Sequence, residues 1–158
     1  MPRKDITMAP ADIEAFLQAG RVAQVATLGE DDWPHLVPMW YIVEDGRIVF
    51  RSFSKSQKII NLRRRPRLTV LVERGTTYSD LQGVMIKGTA LLDDDPARVL
   101  QLYGAMAAKY AMVGDEPVQL SREALEATFA RHAAKNTAVT VQPEQVISWN
   151  HTKLGGTY

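Results

Sequence analysis

The sequence predicts a mainly β fold, a barrel of six or more antiparallel strands with helices inserted between them. Three observations predict it. Five β-rich segments precede the first long helical pattern. Residues 34–66, PHLVPMWYIVEDGRIVFRSFSKSQKIINLRRRP, read as a hairpin of two apolar-rich strands that runs through a polar turn into a short helix. No repeat, low-complexity tract or Pro/Gly/Ser-rich linker divides the chain, so residues 1–158 are expected to form one domain. A doubly wound α/β sheet would instead show strands and helices in regular alternation.

Each element has a local reason. In PADIEAFLQAG, residues 10–20, Ile13, Phe16 and Leu17 fall at i, i+3 and i+4. Pro10 in the first turn, Asp12 and Glu14 behind it and Gly20 after the last apolar position mark a short amphipathic helix. Residues 21–28, RVAQVATL, are rich in β-formers, and GEDD turns the chain into a paired strand at 33–43. Pro34 and Pro38 cannot donate to a ladder, so that strand is expected at an edge, or with a bulge or interruption near Pro38. Glu44-Asp45-Gly46 then leads into RIVFRSF. Ser54 or Ser56 caps a helix through KIINLRR, which stops by Pro66 because the residue before proline is pushed out of the α region.

RLTVLVE at 67–73 is a further strand, RGTTYSDLQ a polar loop, and GVMIKGTALLD at 83–93 a longer strand whose Gly88 marks a bulge or a close approach. Asp94 or Asp95 with Pro96 opens a helix over 96–113, closed by Gly114. Ser121 opens another that ends near Asn136. The last strand, TAVTVQPEQVISW, leads into an irregular tail, NHTKLGGTY.

Composition narrows the function classes. Lys and Arg number 19 against 18 Asp and Glu, a formal charge of +1, so no global field draws in nucleic acid. With no cysteine there is no disulfide, thiolate metal site or thiol nucleophile. No apolar run reaches the length of a membrane span, and MPRKDITMAPADIEAFL lacks a signal-peptide core. A cytoplasmic protein without membrane or nucleic-acid partners is the expectation. His35, His132 and His151 show no ligand spacing, so no metal is expected. GxSxG, P-loop and GxGxxG motifs are also missing, which leaves the reactive atom to a bound cofactor and the catalytic residues unassigned.

RSFSKSQKIIN is the most informative run. Arg51 and Ser52 end a strand, Ser54 and Ser56 place hydroxyls at the turn, and Lys58 follows in the first turn of the helix, where backbone amides and the dipole favour a phosphate. A plainer account also fits these residues: a serine caps the helix, and Arg51, Lys55 and Lys58 are solvated. The three arginines of NLRRRPR complement a helix C-terminus in either case. Trp40 and Tyr41 point to opposite faces of their strand, so at most one lines a given pocket. Tyr78 is an aromatic in a polar loop without an automatic core role.

PMWYIV, then RIVFRSFSKSQKIINLRRRPRLTVLVE, then GVMIKGTALL, then ISWNHTKL together resemble the pyridoxamine-phosphate-oxidase-like split β-barrel superfamily, and within it the flavin and deazaflavin oxidoreductases that use coenzyme F-420. The resemblance covers nearly the whole chain. It implies an FMN-binding type of split barrel and a homodimer with a cofactor groove at each side of the subunit interface. It also implies hydride transfer from reduced F-420 to an unsaturated small-molecule substrate. Carried residue by residue, it puts Lys58, Arg51, Ser52 and Ser56 at the cofactor phosphate and Pro38, Met39 and Trp40 along the ring. Tyr78, Lys87 and Trp149 would lie near the groove, with the tail around Lys153. FMN is the alternative cofactor, and a non-catalytic carrier is the alternative class. The glutamate tail of F-420 would favour a basic exit, for which Lys55, Arg63 and Arg64 are the candidates. The arginine-rich C-terminal pattern of true pyridoxamine phosphate oxidases is missing.

Overall fold

A computed structural model describes residues 5–155. Helix α1 (Pro10–Ala19) leads into strands β1 (Val22–Leu28), β2 (Pro34–Trp40), β3 (Ile42–Glu44) and β4 (Arg47–Phe53), then helix α2 (Gln57–Arg64). Strands β5 (Arg67–Arg74) and β6 (Gln82–Asp93), helices α3 (Pro96–Lys109) and α4 (Arg122–Ala133), and the long strand β7 (Asn136–Asn150) follow. The fold is mainly β, as the sequence predicts. All seven strands form one sheet in the order β2-β1-β5-β6-β7-β4-β3, and every pairing is antiparallel.

That order fixes the shape. β2 and β3 are the two edges of the sheet, yet Tyr41 alone separates them in the chain. The sheet must curl until its edges share one bent strand, which makes it a split barrel rather than an open sheet. The sequence reading had one continuous strand over 33–43 with its interruption near Pro38. The break instead falls at Tyr41, and Pro38 keeps its place in the ladder opposite Gln24. Pro34 and Pro38 are tolerated because β2 is an edge strand, with nothing among the described residues paired on its other side. The β3–β4 hairpin closes on Asp45 and Gly46, whose φ values of 50° and 73° are those of a two-residue type I′ turn.

Alternation then separates two packing regions. The inward residues of β1, β4, β5, β6 and β7, among them Val25, Phe50, Val70, Val84 and Val139, fill the barrel with Leu17 of α1 and with Ile59 and Leu62 of α2. A second cluster lies outside β4, where Val49 and Ala138 meet Val99, Leu102, Tyr103 and Met106 of α3 and Phe129 of α4. Gly88 carries the close approach read from the sequence. A Cβ there would run into the Gln142 carbonyl oxygen. The register slips at the same point, from Lys87 opposite Gln145 to Gly88 opposite Pro143, so that Glu144 bulges out of β7.

The helix expected over 96–113 ends at Lys109, because Tyr110 is extended and tied elsewhere. Its hydroxyl accepts from the Tyr41 backbone N–H at 3.0 Å, and its proton lies toward the Tyr41 carbonyl at 2.6 Å, with the Arg21 carbonyl at 2.9 Å. Tyr41, fully buried, donates its own hydroxyl to the Leu17 carbonyl at 2.6 Å. The Lys109 ammonium is enclosed beside them, 4.3 Å from the Tyr41 ring centre, without a hydrogen-bond partner among the described residues. Burial, with Arg21 adding repulsion, lowers it to about 8. The helix expected to end near Asn136 stops at Ala133, and the tail read as irregular includes a 3-10 turn at His151–Leu154; residues 156–158 lie outside the described residues.

Tyr110→Phe should destabilise the fold by about 1–3 kcal/mol in urea denaturation, since the buried Tyr41 amide loses its acceptor. Lys109 titrates lower in the folded chain than its ordinary 10.5, so the unfolded chain binds more protons between the two values. Stability should therefore rise from about pH 8 to about pH 10, and that rise should shrink in Lys109→Met. Equal pH slopes in the two proteins would refute the assignment.

Candidate functional site

The site builds outward from the end of β4. Ser52 shares its strand face with Phe50, toward the barrel interior, and is buried. The chain then turns and starts α2, which brings Lys58 back over Ser52. Lys58 Nζ donates to Ser52 Oγ at 3.0 Å, and the Ser52 and Ser56 hydroxyls lie 3.0 Å apart. Ser56 occupies the N-cap position of α2, but its side chain makes no capping bond. The plainer account of a serine spent on the helix end therefore does not describe this turn. What remains is an ammonium, two hydroxyls and first-turn amides that no side chain caps, which is the donor set a phosphate requires. Burial lowers the Lys58 ammonium below its usual range.

Behind this cluster, polar bonds tie α2 to the barrel. Asn61 is fully buried; its Nδ2 donates to Thr27 Oγ1 at 3.0 Å, and its Oδ1 accepts from Gln57 Nε2 at 2.8 Å. The Ser54 and Thr137 hydroxyls lie 2.9 Å apart, and Thr137 donates to Asp94 at 2.6 Å. Asp94 in turn pairs with Arg63 at 2.8 Å, and the two hold each other in their charged forms.

Arg51 stands apart from Lys58. As the neighbour of Ser52 on a strand it faces the other way. Its guanidinium lies 3.8 Å from the Tyr103 ring centre, its Nη1 donates to Asn136 Oδ1 at 3.3 Å, and its Nε is enclosed without a partner among the described residues. The arginines proposed as a basic exit are also engaged. Arg63 is paired with Asp94, and Arg64 donates to the Leu28 carbonyl at 3.2 Å. Their neighbour Arg65 pairs with Asp32 at 2.5 Å, whereas Lys55 is exposed.

The ring-wall candidates separate by the same alternation. Register aligns Pro38, Gln24, Leu71, Met85 and Ile147 in one cross-strand row on the outer face, and Leu36, Ala26, Thr69, Lys87 and Gln145 in the next. Trp40 and Trp149 extend that face at its far end. Met39 points inward and packs against the barrel core. Trp40 is 45% exposed and lies flat on Tyr110, ring centres 4.6 Å apart and planes 7° apart. Tyr78 lies just before the start of β6, tilted against His151 at 4.6 Å, and Trp149 covers Gly83 at that same end of the strand.

Two hollows meet at Pro34. One, of about 490 Å³, lies on the outer face between Ala26, Leu28, Arg67 and Lys87. The other, of about 590 Å³, rounds the β1–β2 turn to Trp33, His35, Gln57 and Asn61. Sequence reasoning missed Tyr110, Gln57 and Arg67 as contributors. A polar Asn61 between Ile59, Ile60 and Leu62 was the available signal for the α2 anchor. Nothing local announced Tyr110.

Among the described residues no three His, Cys, Asp or Glu side chains are grouped to hold a metal ion, and no helix is long and apolar enough to cross a membrane. A curled antiparallel barrel with a donor cluster at the start of a short helix defines a split β-barrel protein. The chain belongs to the family described as pyridoxamine 5'-phosphate oxidase, whose model matches residues 9–150. Among solved structures, it is similar to the conserved hypothetical protein Rv2991 from Mycobacterium tuberculosis. The two are 34% identical with a TM-score of 0.87, over 100% of this chain and 94% of that one. An F-420 reductase shares the fold at 18% identity and a TM-score of 0.65, over 85% and 94% of the two chains. A FAD-binding protein from Mesorhizobium loti shares it at 21% identity and 0.60, over 90% and 94%. No curated protein sequence matches the chain.

Thr27→Val should cost about 1–3 kcal/mol of stability in urea denaturation, because Asn61 would be left buried with an unpaired amide.

Proposed function

We propose that this protein is an oxidoreductase that holds a phosphorylated flavin-type cofactor, reduced coenzyme F-420 in the leading reading, and passes a hydride from it to an unsaturated small organic molecule. The observation that carries this is the Lys58–Ser52–Ser56 cluster at the start of α2, with Ser56 turned away from capping. Lys58 supplies the charge for the phosphate, and the hydroxyls and the α2 amides give it directed donors. The outer face of β2, with Pro38 and Trp40, offers a flat apolar wall for the ring. Tyr110 keeps Trp40 in one orientation. The cofactor supplies the hydride; the chain's residues supply position and exclude water. Two proteins that share the fold, an F-420 reductase and a FAD-binding protein, support a cofactor of this class.

FMN is the second reading, and one observation favours it. Of the three cations named for a polyglutamate tail, Arg63 and Arg64 are already bonded within the chain, and Lys55 is the third. FMN has no such tail. Arg51, turned toward Tyr103, contributes to the phosphate under neither reading unless its side chain swings across β4.

The same outer face leaves Leu36 62% exposed and Val22 43% exposed beside Trp40. A second copy of the chain covering that apolar face would enclose the groove, so the protein is proposed to act as a homodimer in the cytoplasm.

Absorbance and fluorescence titrations with F-420 and with FMN test the reading directly. Lys58→Ala should weaken binding of the true cofactor by about 1.5–3 kcal/mol, the range for a hydrogen bond to a charged group. If neither cofactor binds, or the variant binds as tightly as the parent chain, the proposed site is wrong.

A further inference from the structure

The outer-face hollow carries charges that stand apart from the Lys58–Ser52–Ser56 cluster. β5 and β6 are paired so that Arg67 lies opposite Thr89 and Thr69 lies opposite Lys87, with all four side chains on the outward face. The two cations are therefore diagonal neighbours, roughly 7–8 Å apart at their origins, and the two threonines occupy the other diagonal. Like charges this close repel across the ladder unless an anion lies between them. Glu144, pushed out by the β7 bulge, is the one carboxylate among the described residues lining the hollow, and its Oε1 accepts from Thr89 Oγ1 at 2.6 Å. Among the described residues neither Arg67 nor Lys87 forms an ion pair. Two cations against one carboxylate leave the hollow net positive, above a floor of Ala26, Leu28 and Pro34. Its volume of about 490 Å³ suits a small aromatic molecule.

We propose that this hollow binds the carboxylate of a flat, conjugated organic acid, with Lys87 and Arg67 on the carboxylate and Ala26, Leu28 and Pro34 beneath the carbon skeleton. This names the substrate class for the oxidoreductase and rests on that reading for the ring lying against Pro38 and Trp40. The row containing Lys87 is the next outward row from the one containing Pro38, a step of two residues or roughly 7 Å along the strands. An acid anchored at Lys87 thus extends its double bonds toward the ring wall. A neutral molecule of the same shape would leave both cations unanswered, which is the basis of discrimination.

The test uses 4-fluorocinnamate and its neutral counterpart 4-fluorocinnamamide, observed by fluorine NMR on the full chain with no cofactor added. The acid should bind about tenfold more tightly than the amide and lose about tenfold in Lys87→Gln and in Arg67→Gln, while amide binding stays unchanged. An equal concentration of inorganic phosphate should not displace it. Melting curves establish that each variant folds; if Arg67→Gln does not, Lys87→Gln carries the test. Failure of the acid to bind, equal affinity for acid and amide, displacement by phosphate, or undiminished binding in the folded variants would overturn the proposal. A protein that binds the acid but neither F-420 nor FMN would sink the oxidoreductase reading and leave the acid site standing.

Discussion

The connection through Tyr41 is the constraint on which the rest of the structure depends. A sheet whose outermost strands are consecutive in the chain has no freedom to lie flat, and everything around that residue keeps the bend in place. Tyr41 is fully buried, so its backbone N–H and carbonyl need partners inside the protein. Sheet pairing cannot supply them at a point where one ladder ends and the next begins. The Tyr110 hydroxyl serves both groups, which is why α3 gives up its last turn and why Lys109 is drawn into an aromatic enclosure that suits its charge poorly. The stacking of Trp40 on Tyr110 follows from the same arrangement. The indole that faces the candidate groove is oriented by a residue placed there to close the barrel.

At the other end of the barrel the constraint is polar. α2 has eight residues and few apolar ones to hold it, so Ile59 and Leu62 are supplemented by the Asn61–Thr27 bond. With the helix anchored from beneath, its first turn need not be capped, and Ser56 is left to join Ser52 and Lys58. Stability is ceded there in the form of free amides and a partly buried ammonium, a pattern expected where a ligand completes the structure.

Local chemistry made much of this legible in the sequence. Asp45-Gly46 and the capping Asp95 and Ser121 each act within a few residues, and the fold places them as read, while Gly88 was legible from its missing side chain although its neighbour, Gln142, lies on another strand. The cluster of Ser52, Ser56 and Lys58 was legible for the same reason, since one turn of chain brings the three together. Arg51 and Met39 show where such reading ends. Each was grouped with its sequence neighbours, and strand alternation sends each to the opposite face. The end of α3 and the break at Tyr41 were unreadable because they are one event, created by a contact between positions 69 residues apart. The quartet of Arg67, Thr69, Lys87 and Thr89 likewise exists only once register is known.

The two packing regions share a wall. β4 and the first half of β7 send Phe50 and Val139 into the barrel and Val49 and Ala138 against the helical pair, so these strands are enclosed on both sides. Removing α3 and α4 would lay bare Val49 and Ala138 on those strands and at the same time free the residue that ties down the barrel's bend. The helices are therefore no detachable ornament: barrel and helical pair are expected to unfold together, with the strands between them the last to open.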